Sequence, residues 1–215
     1  MVNFISLLGW APAGDPLTGA GREIISMDEI IKEFDIKNVK SVNAVFDIEK
    51  LNWMNGKYIN AMPVEEFLKL LEPGLKEKGW ISDKTDKKWL VKVAGLFKER
   101  ARTLNDFFDW SEYVFSDEIK YEDAAVNKRL KKPGVGKLLD EVKSAFSGLG
   151  DFSKESSEEA VRKIAEGMNI KAADIIHPVR VAVSGRLMGP GLFELLEVLG
   201  KDKVIKRLEM AKKLV

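Results

Sequence analysis

The chain has 215 residues, 45% of them hydrophobic and 32% charged, which is enough for a substantial core in one or two compact domains. There is no cysteine and a single histidine, which excludes disulfides and thiolate metal sites and argues against a histidine metal site or a Ser-His-Asp triad within the chain. Net charge is +1 but uneven: residues 1–60 and 61–160 each carry −2, whereas residues 161–215 carry +5. A local basic excess is what contact with phosphate requires, and it is equally the signature of a solvated helix face.

In chain order, residues 2–9 read as an apolar helix with no cap, Met1 standing where a preceding turn belongs. The expectation is a chain that begins inside a longer protein. The start lacks the basic region of a signal peptide, and no apolar run is long enough for a membrane span, so the protein is expected in the cytoplasm. Gly9 to Arg22 is a loop. Ser26 with Glu29 forms a capping box for a short helix that buries Ile30, Ile31 and Phe34. Lys37 to Asn43 is a connector. Asp47 caps a helix whose inward positions are Ile48, Leu51 and Met54, with a bend at Asn55-Gly56.

Pro63 opens a helix over 64–71, and Pro73 restarts it to Lys78. Thr85 or Asp83 caps the next, through Lys98, with Leu90, Val93, Ala94 and Phe97 on its apolar face. Thr103 starts another, and Tyr121 to Leu130 is a further helix. Lys131-Lys132-Pro133-Gly134 has the composition of a linker. Helical periodicity returns over 135–146. Ser156 or Ser157 caps a helix through Gly167. Two apolar helical runs, Ile175 to Val183 and Leu192 to Leu199, then flank a polar break holding Ser184-Gly185-Arg186 and Gly189-Pro190-Gly191. Lys201 to Leu214 forms the last helix. No alternation of β-branched residues persists, so the fold class is all-α.

Three stretches carry a family resemblance. HPVRVAVSGRLMGPGLFELLEVLGKDKVIKRL resembles the C-terminal end of bacterial glutamyl-tRNA synthetase, a class I aminoacyl-tRNA synthetase family, in which an (H/Q)P-hydrophobic-R motif begins a helix leading to a PGLFE-type loop beside the anticodon. AVFDIEKLNWMNGKYI resembles the segment just after that enzyme's catalytic half. NFISLLGWAPAGD followed by REIISMDEIIKEF fits the same family in the same order. The resemblance implies helical bundles of the class I synthetase anticodon-binding type: residues 1–62 as the end of a stem-contact region, 63–132 and 133–215 as two anticodon-binding helical subdomains.

It further implies a protein that binds glutamate tRNA as a monomer. Arg180 matches the motif arginine that contacts an anticodon base. Arg100 matches by local alignment an arginine that reads the last anticodon base, with Arg102 two residues away, and it resembles the kind that discriminates glutamate from glutamine tRNA. Gly189, Pro190, Gly191 and Leu192 match the loop that packs around the anticodon, Gly189 standing where some members have a threonine. The HIGH- and KMSKS-type motifs of adenylate formation are absent. ATP with Mg is therefore implied for a catalytic domain outside this sequence and no cofactor for the chain itself, which is not expected to aminoacylate tRNA. No role follows for Arg186, and His177 suits a helix start or the core. The competing reading is a non-catalytic helical scaffold that meets another protein, or a second copy, through the apolar stub Phe4 to Trp10.

Overall fold

A computed structural model describes residues 1–14, 21–40 and 45–215. Parts of the Gly9–Arg22 loop (15–20) and of the Lys37–Asn43 connector (41–43) lie outside the described residues, as does Ala44. Every regular element described is helical, and none is long and apolar enough to cross a membrane.

The first elements are short: α1 (Val2–Ser6), α2 (Met27–Glu33) and a 3₁₀ turn at Ile36–Asn38. Ser26 and Glu29 cap α2 reciprocally, as the sequence indicates. Of its three expected core residues only Ile30 is buried; Ile31 and Phe34 face solvent. Ile30 joins Trp10 and Ile25 in a small apolar cluster of its own, with Leu7 packed against it. Asn3 is buried beside it and accepts bonds from Ile25 N and Tyr58 Oη.

Asp47 caps α3 (Ile48–Ala61), accepting from Lys50 N. This helix runs unbroken through Asn55-Gly56, where the sequence suggests a bend. Gly56 is buried there, and a Cβ would lie 3.3 Å from the Arg102 Cα, so the missing side chain serves close packing and not a turn. Likewise α4 (Val64–Glu77) continues through Pro73. Proline inside a helix costs about 3 kcal/mol, but Phe67, Leu68, Leu71 and Leu75 repeat at helical spacing and are buried, each worth about 2 kcal/mol.

Asp86, one or three residues beyond the two expected caps, caps α5 (Lys87–Lys98), while Ser82 and Thr85 close the turn before it. Thr103 and Asp106 cap α6 (Leu104–Phe115). The helix expected over 121–130 is one α-turn, α7 (Asp123–Ala125), continued by a π-helical segment over Val126–Leu130. Next come α8 (Val135–Ser147) and α9 (Lys154–Met168), the latter capped by Ser153, earlier than either serine expected, with Ser156 as the reciprocal partner.

The basic C-terminal third is built from α10 (Ala172–Ser184), α11 (Leu192–Leu199) and α12 (Lys201–Lys212). The His-Pro pair lies in the middle of α10 and not at its start. Burial of Ile175, Val179 and Val181 through Val183 offsets the bond that Pro178 cannot make.

α4 packs on α5, α5 on α6 and α11, α9 on α8 and α11, and α12 on α8 and α10. Their buried side chains, from Ile59 to Ala211, form one cluster. Within it lies Arg207, 1% exposed, whose guanidinium donates to the carbonyls of Val183 (2.7 Å), Tyr113 (2.5 Å) and Ser116 (2.8 Å). These carbonyls lie at the ends of α10 and α6, where the helix itself offers them no donor; a buried cation there also suits the negative ends of two helix dipoles.

Candidate nucleic-acid interface

The polar break after α10 is fixed at both ends. Gly185 takes φ +72°, ends α10 by donating its N–H to the Val181 carbonyl, and accepts from Glu122 N at 2.9 Å. A Cβ at this position would fall 2.2 Å from the Lys120 carbonyl oxygen, so both conformation and space demand glycine. At the other end Leu192 begins α11 with its side chain buried in the core, as is Pro190; Gly189 is half-exposed, and Met188 and Gly191 are exposed.

Two arginines grip the loop between these ends. Arg180, half-buried on α10, donates from Nη1 to the Pro190 carbonyl at 2.5 Å. Arg100, exposed in the turn between α5 and α6, donates from Nη1 to the Gly189 carbonyl at 2.6 Å. Burial pushes the Arg180 guanidinium below its ordinary value, and the positive charge of Arg100 adds to that; the nearby Tyr113 and Glu194 oppose it. Arg186 reaches the opposite wall, donating from Nη2 to the Asp109 carbonyl at 2.8 Å, with its guanidinium 5.8 Å from the Tyr113 ring centre.

Arg100 and Arg186 border a cleft of about 420 Å³ whose walls also include Phe97, Trp110, Tyr113, Glu122 and residues 187–190. Tyr113 Oη is buried there without a hydrogen-bond partner. Burial pushes its phenol up to about 12, against the pull of Arg180, Arg186 and Arg207, so the hydroxyl is a protonated donor at neutral pH. A second cleft of about 430 Å³ lies between α5 and α11, between Lys92, Arg100, Pro190, Gly191, Glu194 and Glu197. A third, of about 440 Å³, joins Arg100 to Arg102, Trp110, Asn52 and Glu49. Arg100 borders all three.

The carboxylates around the loop are mostly engaged: Lys154 pairs with Glu194 at 2.7 Å, Lys92 with Glu197 at 2.5 Å, and Arg102 lies 3.5 Å from Glu49. Arg100 and Arg186 form no salt bridge among the described residues, and neither do Glu122 in the first cleft and Glu99 in the second, so the clefts carry both signs of charge. Together, Arg100, Arg186 and the aromatic wall can hold a flat polar group: guanidinium and indole faces stack, and the free donors meet acceptors on its edge.

Of the residues singled out from sequence, Arg100, Arg180, Gly189 and Pro190 come together directly. Gly191 continues the surface, with Glu194 close enough that a Cβ would fall 2.1 Å from its Oε2. Leu192 supports the loop from the core. His177 sits one turn before Arg180 and is half-buried, away from the loop. Trp110, Tyr113 and Arg207 carried no sequence signal beyond apolar periodicity and charge.

Residues 66–212 match the family model described as "Anticodon binding domain". The chain belongs to the anticodon-binding domain family. The similarity extends beyond the matched segment. A glutamate–tRNA ligase of Moorella thermoacetica is 36% identical over 214 residues, covering 98% of this chain and 42% of that protein. Glutamate–tRNA ligase 1 of Syntrophomonas wolfei is 39% identical over 212 residues, covering 98% and 41%. The crystal structure of a glutamate tRNA ligase from Elizabethkingia meningosepticum in complex with its amino acid superposes on 99% of the chain and 40% of its own, with a TM-score of 0.86 and 31% identity. This anticodon-binding chain thus spans about two-fifths of the length of these relatives.

Proposed function

We propose that the chain binds the anticodon arm of glutamate tRNA, as a monomer, and forms the RNA-recognising part of a glutamate–tRNA ligase whose ATP and Mg are handled elsewhere. The observation that carries this reading is the convergence of Arg100 and Arg180 on the consecutive carbonyls of Gly189 and Pro190, beside the cleft walled by Trp110 and Tyr113. An unpaired base entering that cleft meets a planar stacking surface and the Arg100 and Arg186 donors not engaged by the protein backbone. Bases inside a duplex present no such faces, which favours a splayed loop over a stem. The whole relatives carry the name of a ligase; the contribution proposed here is selection of the RNA, with no group in this chain assigned to chemistry.

The test is fluorescence anisotropy with the anticodon stem-loop of glutamate tRNA and with anticodon-substituted hairpins. The expected result is binding that weakens with salt and is strongest for the unaltered anticodon. Equal affinity for every hairpin would overturn the assignment of the loop to base recognition.

A further inference from the structure

The run Lys128-Arg129-Leu130-Lys131-Lys132, which composition alone assigns to a helix end and a linker, folds into a tight corner. The π-helical segment closes with Lys131 N donating to the Val126 carbonyl at 3.0 Å, and Lys132 N donates to the Leu130 carbonyl at 2.7 Å. The second bond makes Lys131 (φ −75°, ψ 59°) the centre of an inverse γ-turn. Gly134 then takes φ +83° and leads into α8 without a side-chain cap. Such π-helical segments are rare and concentrate at functional sites.

This corner gathers cations that the loop site does not use. Arg129 and Lys132 border a cleft of about 300 Å³ with Gly134, Asp174 and Pro178. Arg129 Nε is buried and has no acceptor. Lys128, Lys131 and Lys132 are exposed, and none of the four basic residues pairs with a carboxylate among the described residues. Asp174 is the one carboxylate on the cleft wall. His177 reports the local field: partial burial and then the charges of Arg129, Arg180 and Lys128 hold its imidazole below the usual value, with Asp174 opposing.

Asp174, His177 and Arg180 follow one another at three-residue intervals along α10, so the corner lies roughly 9 Å along the helix axis from the arginine that grips the loop. That separation is within reach of a neighbouring nucleotide on one strand. We infer that Lys128, Arg129 and Lys132, at the entrance to α8, seat a backbone phosphate of the same RNA whose base is read at the 185–191 loop. This rests on the anticodon-arm reading above. The seat supplies affinity without sequence preference, while the loop supplies the preference.

His177, the single histidine of the chain, makes the seat observable, because its imidazole resonance needs no assignment. The experiment follows that resonance by NMR against pH, with chloride-matched additions of inorganic phosphate or of the anticodon hairpin, in the unmodified chain and in a Lys128→Gln/Lys132→Gln variant. Both lysines are exposed, so the variant keeps its fold. The hairpin is expected to raise the His177 pKa, and its binding is expected to tighten as pH falls through that value. The variant should bind every hairpin several-fold more weakly, by the same factor, with a salt slope lower by about 0.7 to 0.9 for each phosphate no longer neutralised. An unchanged salt slope in the variant would overturn the seat while leaving base reading intact. A His177 response to inorganic phosphate together with no hairpin binding by the unmodified chain would overturn the RNA occupant and the anticodon reading with it.

Discussion

Arg100 and Arg180 come from two separate parts of the chain, the turn after α5 and the middle of α10, to donate to adjacent carbonyls of the loop, Gly189 at 2.6 Å and Pro190 at 2.5 Å. Each guanidinium has five donors in a planar fork, so holding a carbonyl leaves others for a ligand. Arg100 therefore shapes the loop and lines the cleft at once, whereas Arg180 shapes the loop from its half-buried position on α10, and a substitution at either should disturb the site.

Arg180→Ala is expected to weaken binding of the glutamate anticodon hairpin and to narrow its advantage over anticodon-substituted hairpins by about 1–3 kcal/mol. Competition anisotropy measures both. Arg180→Lys is not expected to rescue, because a lysine presents a point charge and no planar face.

Arg100→Gln removes the bond to the Gly189 carbonyl and leaves the loop held by Arg180 at Pro190. The unmodified chain is expected to favour glutamate over glutamine tRNA, and the variant to lose that preference. Gel-shift titration of the two transcripts decides it; equal affinities in the unmodified chain would remove Arg100 as the discriminating residue.

Gly185→Ala should destabilise the fold by about 2 kcal/mol or more, since it adds a left-handed strain to a Cβ 2.2 Å from the Lys120 carbonyl oxygen. Denaturant unfolding followed by circular dichroism checks this. A value within ordinary surface scatter would mean that the 119–122 connector yields.

Arg207→Met strands three buried carbonyls at the ends of α6 and α10, for a loss of about 3–5 kcal/mol. Thermal unfolding should show it. Because the same carbonyls fix Tyr113 and the start of the loop, hairpin affinity measured well below the midpoint should fall as well.

Burial pushes the phenols of Tyr113 and Tyr121 up to about 12, above their ordinary value near 10. A raised folded-state value means that the stability these groups supply is complete below pH 10 and is lost as pH rises from 10 through 12. Phenolate absorbance and helicity should therefore change together in that interval. Phenolate appearing at pH 10 with helicity intact would contradict the burial of these rings.

The fold class and most helices were legible because apolar residues recur at helical spacing and caps such as Ser26, Asp47 and Thr103 are local signals. The two expected breaks, and the helix start expected at the His-Pro pair, share one cause. Pro73, the Asn55-Gly56 pair and Pro178 are local breakers that packing overrode, and no local rule weighs the burial of Leu71, Leu75 or Val181. The site was legible only at the residues tied to a motif, Arg100, Arg180 and the 189–192 loop. Tyr113 reads as one more apolar position of α6 until the tertiary structure leaves its hydroxyl unpaired, and Arg207 reads as a surface cation of a charged helix until α6 and α10 close over it.

The double duty of Arg100 also bears on how recognition in such a protein can be altered. Because one guanidinium anchors the loop and borders three clefts, a change of side chain at position 100 shifts the frame against which every other contact is measured. Retargeting the protein to a different nucleotide should therefore fail by single replacement and succeed only when a compensating change near Gly189 restores the anchor.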